Sequence, residues 1–234
     1  MNIDSQKLLK IQERISTRDA HEQMDACNEA LKWIDSLSDI GMQNSIRALI
    51  IGTLLDLNRF KEWKECAQFL KKSENYHLQL VAVHSEGWFY RKHNDFANMR
   101  IAYQKGFSIA KDNNDYQSLA ECCMGEAKSL LFLAQWDEAL IPLNRSISAA
   151  REIFNYKMIA VANYYIGLAM RQLGYRYIAY EKLRDASDLA IEQHAQGITM
   201  QTEIVRASWY LEDGDTETAK NILNDWNRNF GLML

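Results

Sequence analysis

Small residues recur at a fixed interval of 40 positions, and this period constrains the fold more than any local motif. Positions 87, 127, 167 and 207 are Gly, Ala, Gly and Ala, and positions 139, 179 and 219 are all Ala. A period of this size is typical of a stack of similar supersecondary units, each burying its apolar face against its neighbours. The repeated columns hold no catalytic side chains, which favours recognition as the function.

Apolar residues within each segment follow the spacing of a helix. Between residues 19 and 37, one face carries Ala20, Met24, Cys27, Leu31 and Ile34. Steps of three and four residues indicate helix, whereas strict alternation would indicate strand. Asn, Asp and Gly cluster at positions 38–39, 57–58, 92–95, 112–115, 173–174 and 212–215, where they are expected to end one helix and cap the next. The sequence therefore predicts an all-α protein.

The apolar triplet on the second helix of each pair extends the repeat over the whole chain. The triplet that starts at position 99 recurs at 139, 179 and 219, in steps of 40, and backward at 63 and 27, in steps of 36. The triplets are Cys27, Leu31, Ile34; Trp63, Ala67, Leu70; Met99, Tyr103, Gly106; Ala139, Leu143, Ser146; Ala179, Leu183, Ala186; and Ala219, Leu223, Trp226. We predict one domain over residues 1–234, built from units 1–37, 40–73, 76–111, 115–153, 156–194 and 196–231.

One unit shows the full pattern of a helix pair most clearly. Its first helix carries Ala127 and Leu130, and its second helix carries Trp136, Ala139 three residues later, and Leu143. The pattern resembles the tetratricopeptide repeat (TPR), in a long-period form similar to the helical-repeat arms of bacterial regulators. The resemblance implies a right-handed superhelical α-solenoid of about six antiparallel helix pairs. It also implies that the first helix of each pair lines a concave groove.

The groove residues implied by the resemblance lie at fixed offsets from the small column. They are His84, Trp88, Arg91 and Lys92; Met124, Lys128 and Phe132; Tyr164, Arg171 and Gln172; and, around Ala207, Ile204 and Leu211 among others. Cationic and apolar side chains alternate in this set, which suits an extended or helical peptide with acidic and apolar side chains. Two alternatives stay open. The aromatic residues could pack between helices, and the arginines could pair with neighbouring acids.

Several classes of function are disfavoured by the composition. A net charge of −4 gives no basic footprint for nucleic acid, and no apolar run is long enough to span a membrane. The cysteines Cys27, Cys66, Cys122 and Cys123 lack disulfide or zinc spacing, so we expect reduced, mostly buried thiols in a cytoplasmic protein. Metal-binding histidine pairs, phosphate loops and nucleophile motifs are missing. We therefore expect no enzyme activity, cofactor or metal.

The C-terminal end is unusually apolar for the last unit of a repeat stack, which ordinarily presents a polar outer face. The residues concerned are Trp226, Phe230, Leu232, Met233 and Leu234. We expect this end to dock on a second copy or to lead into a further domain. The leading hypothesis for function is a protein- or peptide-binding module. The alternatives are a regulatory domain of a larger bacterial signalling protein, with an output domain after residue 234, and a dimerisation scaffold.

Overall fold

A computed structural model describes the backbone of residues 3–230 and the side chains of residues 4–225. Within this range the chain forms twelve α-helices and no strand. Their bounds are α1 Ile3–Ile15, α2 Ala20–Ser36, α3 Ile40–Asp56, α4 Phe60–Lys71, α5 Tyr76–Lys92, α6 Phe96–Asp112, α7 Tyr116–Phe132, α8 Trp136–Glu152, α9 Tyr156–Gln172, α10 Arg176–Glu192, α11 Gln196–Glu212 and α12 Thr216–Phe230. The all-α prediction is confirmed.

The helices form two compact units. The first contains α1–α6 and the second contains α7–α12, with the boundary between Asn114 and Asp115. Within each unit, helices that are consecutive in sequence pack against each other, as the repeat pattern predicts for helix pairs. The single domain over residues 1–234 stays a prediction.

Helices α2–α12 begin at evenly spaced positions, with one exception. The starts fall at positions 20, 40 and 60, and then at 76, 96 and every further step of the same size up to 216. The interval is shorter between α4 and α5 because α4 has 12 residues, whereas its neighbours α3 and α5 have 17. The buried residues Ala26 and Cys27 of α2 correspond to Cys66 and Ala67 of α4, which is a step of 40. One of the two predicted 36-residue steps is therefore wrong, and the missing helical turn lies in α4 alone.

Tight turns with a left-handed residue join most of the helices. From residue 94 onwards, a positive φ recurs every 20 positions, at Asn94, Asn114, Ala134, Phe154, Gly174, His194 and Gly214. Asn and Gly adopt this conformation readily, whereas Phe154 (φ 54°) carries a steric cost. The turns at 134, 154 and 194 lack the Asn, Asp and Gly cluster that marks the others, so turn chemistry alone did not identify them.

The small column allows the two helices of a pair to approach closely. A Cβ atom added to Gly167 of α9 would lie 2.9 Å from Cδ2 of Leu183 on α10, and one added to Gly87 of α5 would overlap the ring of Tyr103 on α6. Both partners are buried. The glycines are therefore required by packing, as the sequence pattern indicates.

Candidate ligand-binding surfaces

The first unit contains a groove between α3 and α5, which we call the α3–α5 groove. It encloses about 480 Å³ and is lined by small and apolar residues together with a few polar ones. The lining includes Ala48, Leu49, Gly52 and Asp56 of α3 and Val81, His84 and Trp88 of α5. Trp88 is 56% exposed, although it lies beside this apolar lining. The structure thus brings together two predicted site residues, His84 and Trp88.

Positive charge lies at the C-terminal end of α5, next to the groove. The guanidinium carbon of Arg91 is 5.5 Å from the ring centroid of Trp88, in the range of a cation–π contact. Nζ of Lys92 donates a hydrogen bond to the carbonyl oxygen of Leu55 at 3.0 Å, at the end of α3. Because the last carbonyls of a helix lack partners within the helix, Lys92 also stabilises that terminus. Arg91 and Lys92 together place positive charge beside the α3–α5 groove.

The α3 wall of the groove was missing from the sequence-based site. A 36-residue step carries His84, Trp88 and Lys92 back to Ala48, Gly52 and Asp56, and all three line the groove. The triplets predict a 36-residue step between positions 63 and 99, and the same offset applied to His84, Trp88 and Lys92 would have identified this wall. Gly52 leaves open space in this wall, because a Cβ added there would meet nothing within 4 Å.

In the second unit, five predicted groove residues are exposed or partly exposed. Phe132 is 49% exposed, and Gln172 is also exposed. Nζ of Lys128 lies 5.1 Å from the ring centroid of Tyr165. Ile204 and Leu211 of α11 are exposed as well. These residues give the second unit apolar and cationic surface of its own.

Two predicted groove residues are buried. Met124 is 4% exposed and packs in the core of α7–α9, and Tyr164 is 7% exposed and packs with Leu183 and Trp209. Burial raises the pKa of the Tyr164 hydroxyl, in part offset by a hydrogen bond with Gln201. The expectation that both present apolar surface to a ligand is therefore corrected. At this position, three residues before the small column, the large side chains of Met124 and Tyr164 pack against neighbouring helices.

The charge of Arg171 is compensated within the second unit. Its Nη1 and Nη2 donate to both carboxylate oxygens of Asp213 at 2.9 Å, and Nη2 also donates to Glu212 at 3.2 Å. The Tyr180 hydroxyl donates to Asp213 at 2.9 Å. Hydrogen bonds from Arg171 and Tyr180 lower the pKa of Asp213 to about 2. Of the two alternatives for Arg171, pairing with neighbouring acids is the one observed, so this side chain ties α9 to the turn after α11.

The four cysteines are free and buried. Burial raises the pKa of the Cys66 thiol to about 11 and those of Cys122 and Cys123 to about 12. Among the described residues, no group of three His, Cys, Asp or Glu side chains could hold a metal ion. Over the same range, no helix combines the length and the apolar character that crossing a bilayer requires.

The predicted self-association residues cannot be placed. Leu232, Met233 and Leu234 lie outside the described residues, and the side chains of Trp226 and Phe230 do as well. Self-association through this end stays a prediction.

Comparison with solved structures identifies the class of fold. BtubC (BKLC) from P. vanneervenii superposes with a TM-score of 0.72 at 11% identity, over 97% of this chain and 91% of that chain. The apo form of RapI gives 0.74 at 13% identity, and a Rap protein complexed with Competence and Sporulation Factor gives 0.71 at 17%. These neighbours are TPR-like helical-repeat proteins, and the chain has the same fold.

The Rap comparisons cover 97% of this chain but only 66% of each Rap chain. The chain therefore spans about two thirds of the length of those neighbours. No family model matches it, and no curated protein matches its sequence. The resemblance to the tetratricopeptide repeat is confirmed at the level of the fold.

Proposed function

We propose that the chain is a non-enzymatic helical-repeat module that binds a protein or peptide segment in the α3–α5 groove. The observation that carries this proposal is the exposed indole of Trp88 beside an apolar lining with an open floor at Gly52. Exposed aromatic side chains next to a pocket are typical anchors of protein recognition. An open floor leaves room for an incoming side chain to be buried against both helices.

The ligand we propose carries apolar side chains for the groove and at least one acidic side chain for Arg91. Arg91 lies over the face of Trp88, so a carboxylate there would pair with a guanidinium already held by the ring. Asp56 on the opposite wall disfavours a uniformly acidic segment. In the second unit, Lys128, Phe132 and Gln172 offer surface of the same character.

The structural neighbours support a recognition function. One of the Rap structures is a complex with Competence and Sporulation Factor, so at least one protein with this fold holds a bound partner. The buried thiols support a reducing compartment, consistent with a cytoplasmic protein.

Filling the floor of the groove tests the proposal. Peptides selected from a random displayed library against the wild-type protein would be measured against Gly52→Phe, Trp88→Ala and, as matched control, Gly52→Ala. We expect Gly52→Phe and Trp88→Ala to lose binding by more than about 10-fold, which is the size of a typical anchor contribution. Gly52→Ala should bind like the wild type.

The melting temperatures of the groove variants serve as the structural control, because Gly52 and Trp88 are both exposed. The proposal is overturned if the selected peptides bind Gly52→Phe and Trp88→Ala as tightly as they bind the wild type. A peptide pool without acidic residues would overturn only the role of Arg91.

A second candidate is the regulatory domain of a larger bacterial signalling protein, with an output domain after residue 234. It is supported by the partial coverage of the Rap chains, since this chain matches only 66% of each. The reading frame of the source gene tests it directly, since a frame that stops at residue 234 would contradict it. Light scattering over a range of concentrations tests the third candidate, a dimerisation scaffold, which a monomer at all concentrations would exclude.

A further inference from the structure

The first unit holds a second cavity, at the end of α4 where that helix lacks a turn. It encloses about 930 Å³ between the start of α3, the end of α4 and the start of α5. Its lining includes Ile40, Asn44, Arg47, Phe69, Lys72 and Glu74. Because α4 ends at Lys71, one turn earlier than the regular helix spacing would allow, the space that the extra turn would occupy stays open.

Arg47 is buried in the wall of this cavity without an acidic partner. The residue is 7% exposed, and its guanidinium carbon lies 4.1 Å from the ring centroid of Phe69. Nη1 donates to the amide oxygens of Gln43 at 3.2 Å and Asn44 at 3.1 Å. No carboxylate in residues 4–225 pairs with it at ion-pair distance. Asp35 attracts it only from farther away.

Burying a cation with only neutral partners costs free energy, so its presence calls for an explanation. The repeat shows that the fold does not require it. The positions equivalent to Asn44 and Arg47 in α5, one 36-residue step later, are Leu80 and Val83, and both are buried apolar residues. Burial lowers the pKa of the Arg47 guanidinium, and the nearby Cys66 and Asp35 offset this only in part. The first unit therefore has a polar pair at α3 where α5 has two buried apolar residues.

The donors of Arg47 are not used up. Both of its hydrogen bonds come from Nη1, so the edge formed by Nε and Nη2 keeps its donors for a ligand. A guanidinium edge matches the two oxygens of a carboxylate in a planar, bidentate arrangement. Lys72 adds a second positive charge to the lining, whereas Glu74 disfavours a dianion such as phosphate. Phe69 and Ile40 are exposed and offer an apolar surface beside the charge.

We propose that this cavity binds a carboxylate carried on an apolar group, with Arg47 as its ionic partner and Phe69 and Ile40 as its apolar contacts. Two sources could supply this carboxylate. One is the free carboxylate of a small molecule or a chain end, and the other is an acidic side chain of a bound segment. Both present the same planar anion to the guanidinium. This site is separate from the α3–α5 groove and does not depend on the function proposed for it.

The test follows the Nε–H resonance of Arg47 in the ¹⁵N-labelled protein at constant ionic strength. The probes are N-acetyl-leucine, its C-terminal amide, inorganic phosphate and an amide-capped peptide in which a Glu is flanked by Leu. We expect N-acetyl-leucine to shift the resonance in a saturable way and the amide to leave it unchanged. A response to the capped peptide as well would assign the acidic side chain, and its absence would assign the free carboxylate.

Two substitutions separate a ligand role from a structural one. Arg47→Met keeps the length and apolar contact of the side chain, and we expect it to weaken N-acetyl-leucine binding by about 10- to 100-fold while leaving the melting temperature unchanged or higher. Arg47→Lys keeps the charge without the planar fork and should bind more weakly than the wild type. Arg91→Met, beside the α3–α5 groove, is the matched control and should bind normally.

The proposal is overturned if no carboxylate probe shifts the Arg47 resonance at saturating probe concentrations, or if the amide binds as well as the acid. It is also overturned if Arg47→Met binds N-acetyl-leucine as tightly as the wild type does. The same holds if this variant has a much lower melting temperature but its folded fraction binds N-acetyl-leucine normally. If Arg47→Met does not fold, the comparison of acid and amide on the wild type decides alone. Gly52→Phe should not affect this binding, so failure here and failure of the groove proposal are distinguishable.

Discussion

Replacing Gly167 by Ala tests whether the small column exists for close helix packing. The added Cβ would lie 2.9 Å from Cδ2 and 3.0 Å from Cγ of Leu183, and 3.2 Å from the carbonyl oxygen of Ala179. Leu183 is fully buried, and the carbonyl belongs to the backbone of α10. None of these three atoms can retreat unless α10 shifts or Leu183 leaves its rotamer. The close approach therefore predicts a loss of stability on substitution.

The expected magnitude is the difference between two opposing effects. Inserting a methyl group into a packed core costs about 1–3 kcal/mol. Ala in a helix interior recovers about 1 kcal/mol relative to Gly. The net loss in the free energy of unfolding is therefore about 0–2 kcal/mol, or a decrease in melting temperature of about 2–4 °C per kcal/mol for a chain of this size. Urea unfolding followed by far-UV circular dichroism measures it.

Gly52→Ala is the matched control, because its Cβ would meet nothing within 4 Å. Only the helix-propensity gain applies there, so we expect this variant to be more stable by about 0.5–1 kcal/mol. In the Gly167→Ala background, Leu183→Ala should cost less than it does alone, since it removes both Leu183 carbons that the added Cβ would crowd. If Gly167→Ala were as stabilising as Gly52→Ala, close packing would be wrong as the reason for the column.

Three further predictions concern the ion-pair network, the thiols and the turns. The pKa of Asp213 is lowered from 3.8 to about 2, so its contribution to stability is complete above pH 3.8 and is lost as the pH falls towards 2. The difference in the free energy of unfolding between the wild type and Asp213→Asn, measured by urea unfolding, should therefore narrow over that pH range. A constant difference would contradict the network. Native Cys122 and Cys123, buried and with raised pKa values, should react with a thiol reagent only as fast as the protein opens, and fast labelling in the native state would refute this. Phe154→Gly should raise the melting temperature by relieving up to about 1 kcal/mol of left-handed strain, whereas Gly174→Ala should lower it.

The fold could be predicted from the sequence because its main constraint is periodic. Each repeated column has one packing environment, so the small residues at 87 and 167 and the buried Leu143 and Leu183 are informative without any coordinates. The missing turn of α4 was harder to locate. Apolar residues one turn apart occupy the same helix face, so Cys27 could be aligned with Trp63 or, correctly, with Ala67.

The candidate site was predicted only in part, because fixed offsets do not describe what the side chains meet. His84, Met124 and Tyr164 share one offset, yet His84 lines a groove whereas the other two are buried. Arg91 and Arg171 also share an offset, but an acidic residue stands 42 positions after Arg171. Leu133 stands at the same distance after Arg91. The repeat therefore does not provide Arg91 with an equivalent of Asp213, although Arg91 shares the offset of Arg171.

The even spacing of the left-handed turns has a consequence for how such a chain can change in length. In the second unit, the turns at Phe154 and His194 have nearly the same backbone angle, 54° and 52°. Removing or duplicating the segment 155–194 would rejoin the chain on matching geometry, with every buried face still in register. A change inside a helix that is not a whole number of turns would rotate its remaining residues out of phase with the neighbouring helices. Insertions and deletions in relatives of this chain should therefore come in whole helix pairs or whole helical turns, and the shortened α4 is an example of the second kind.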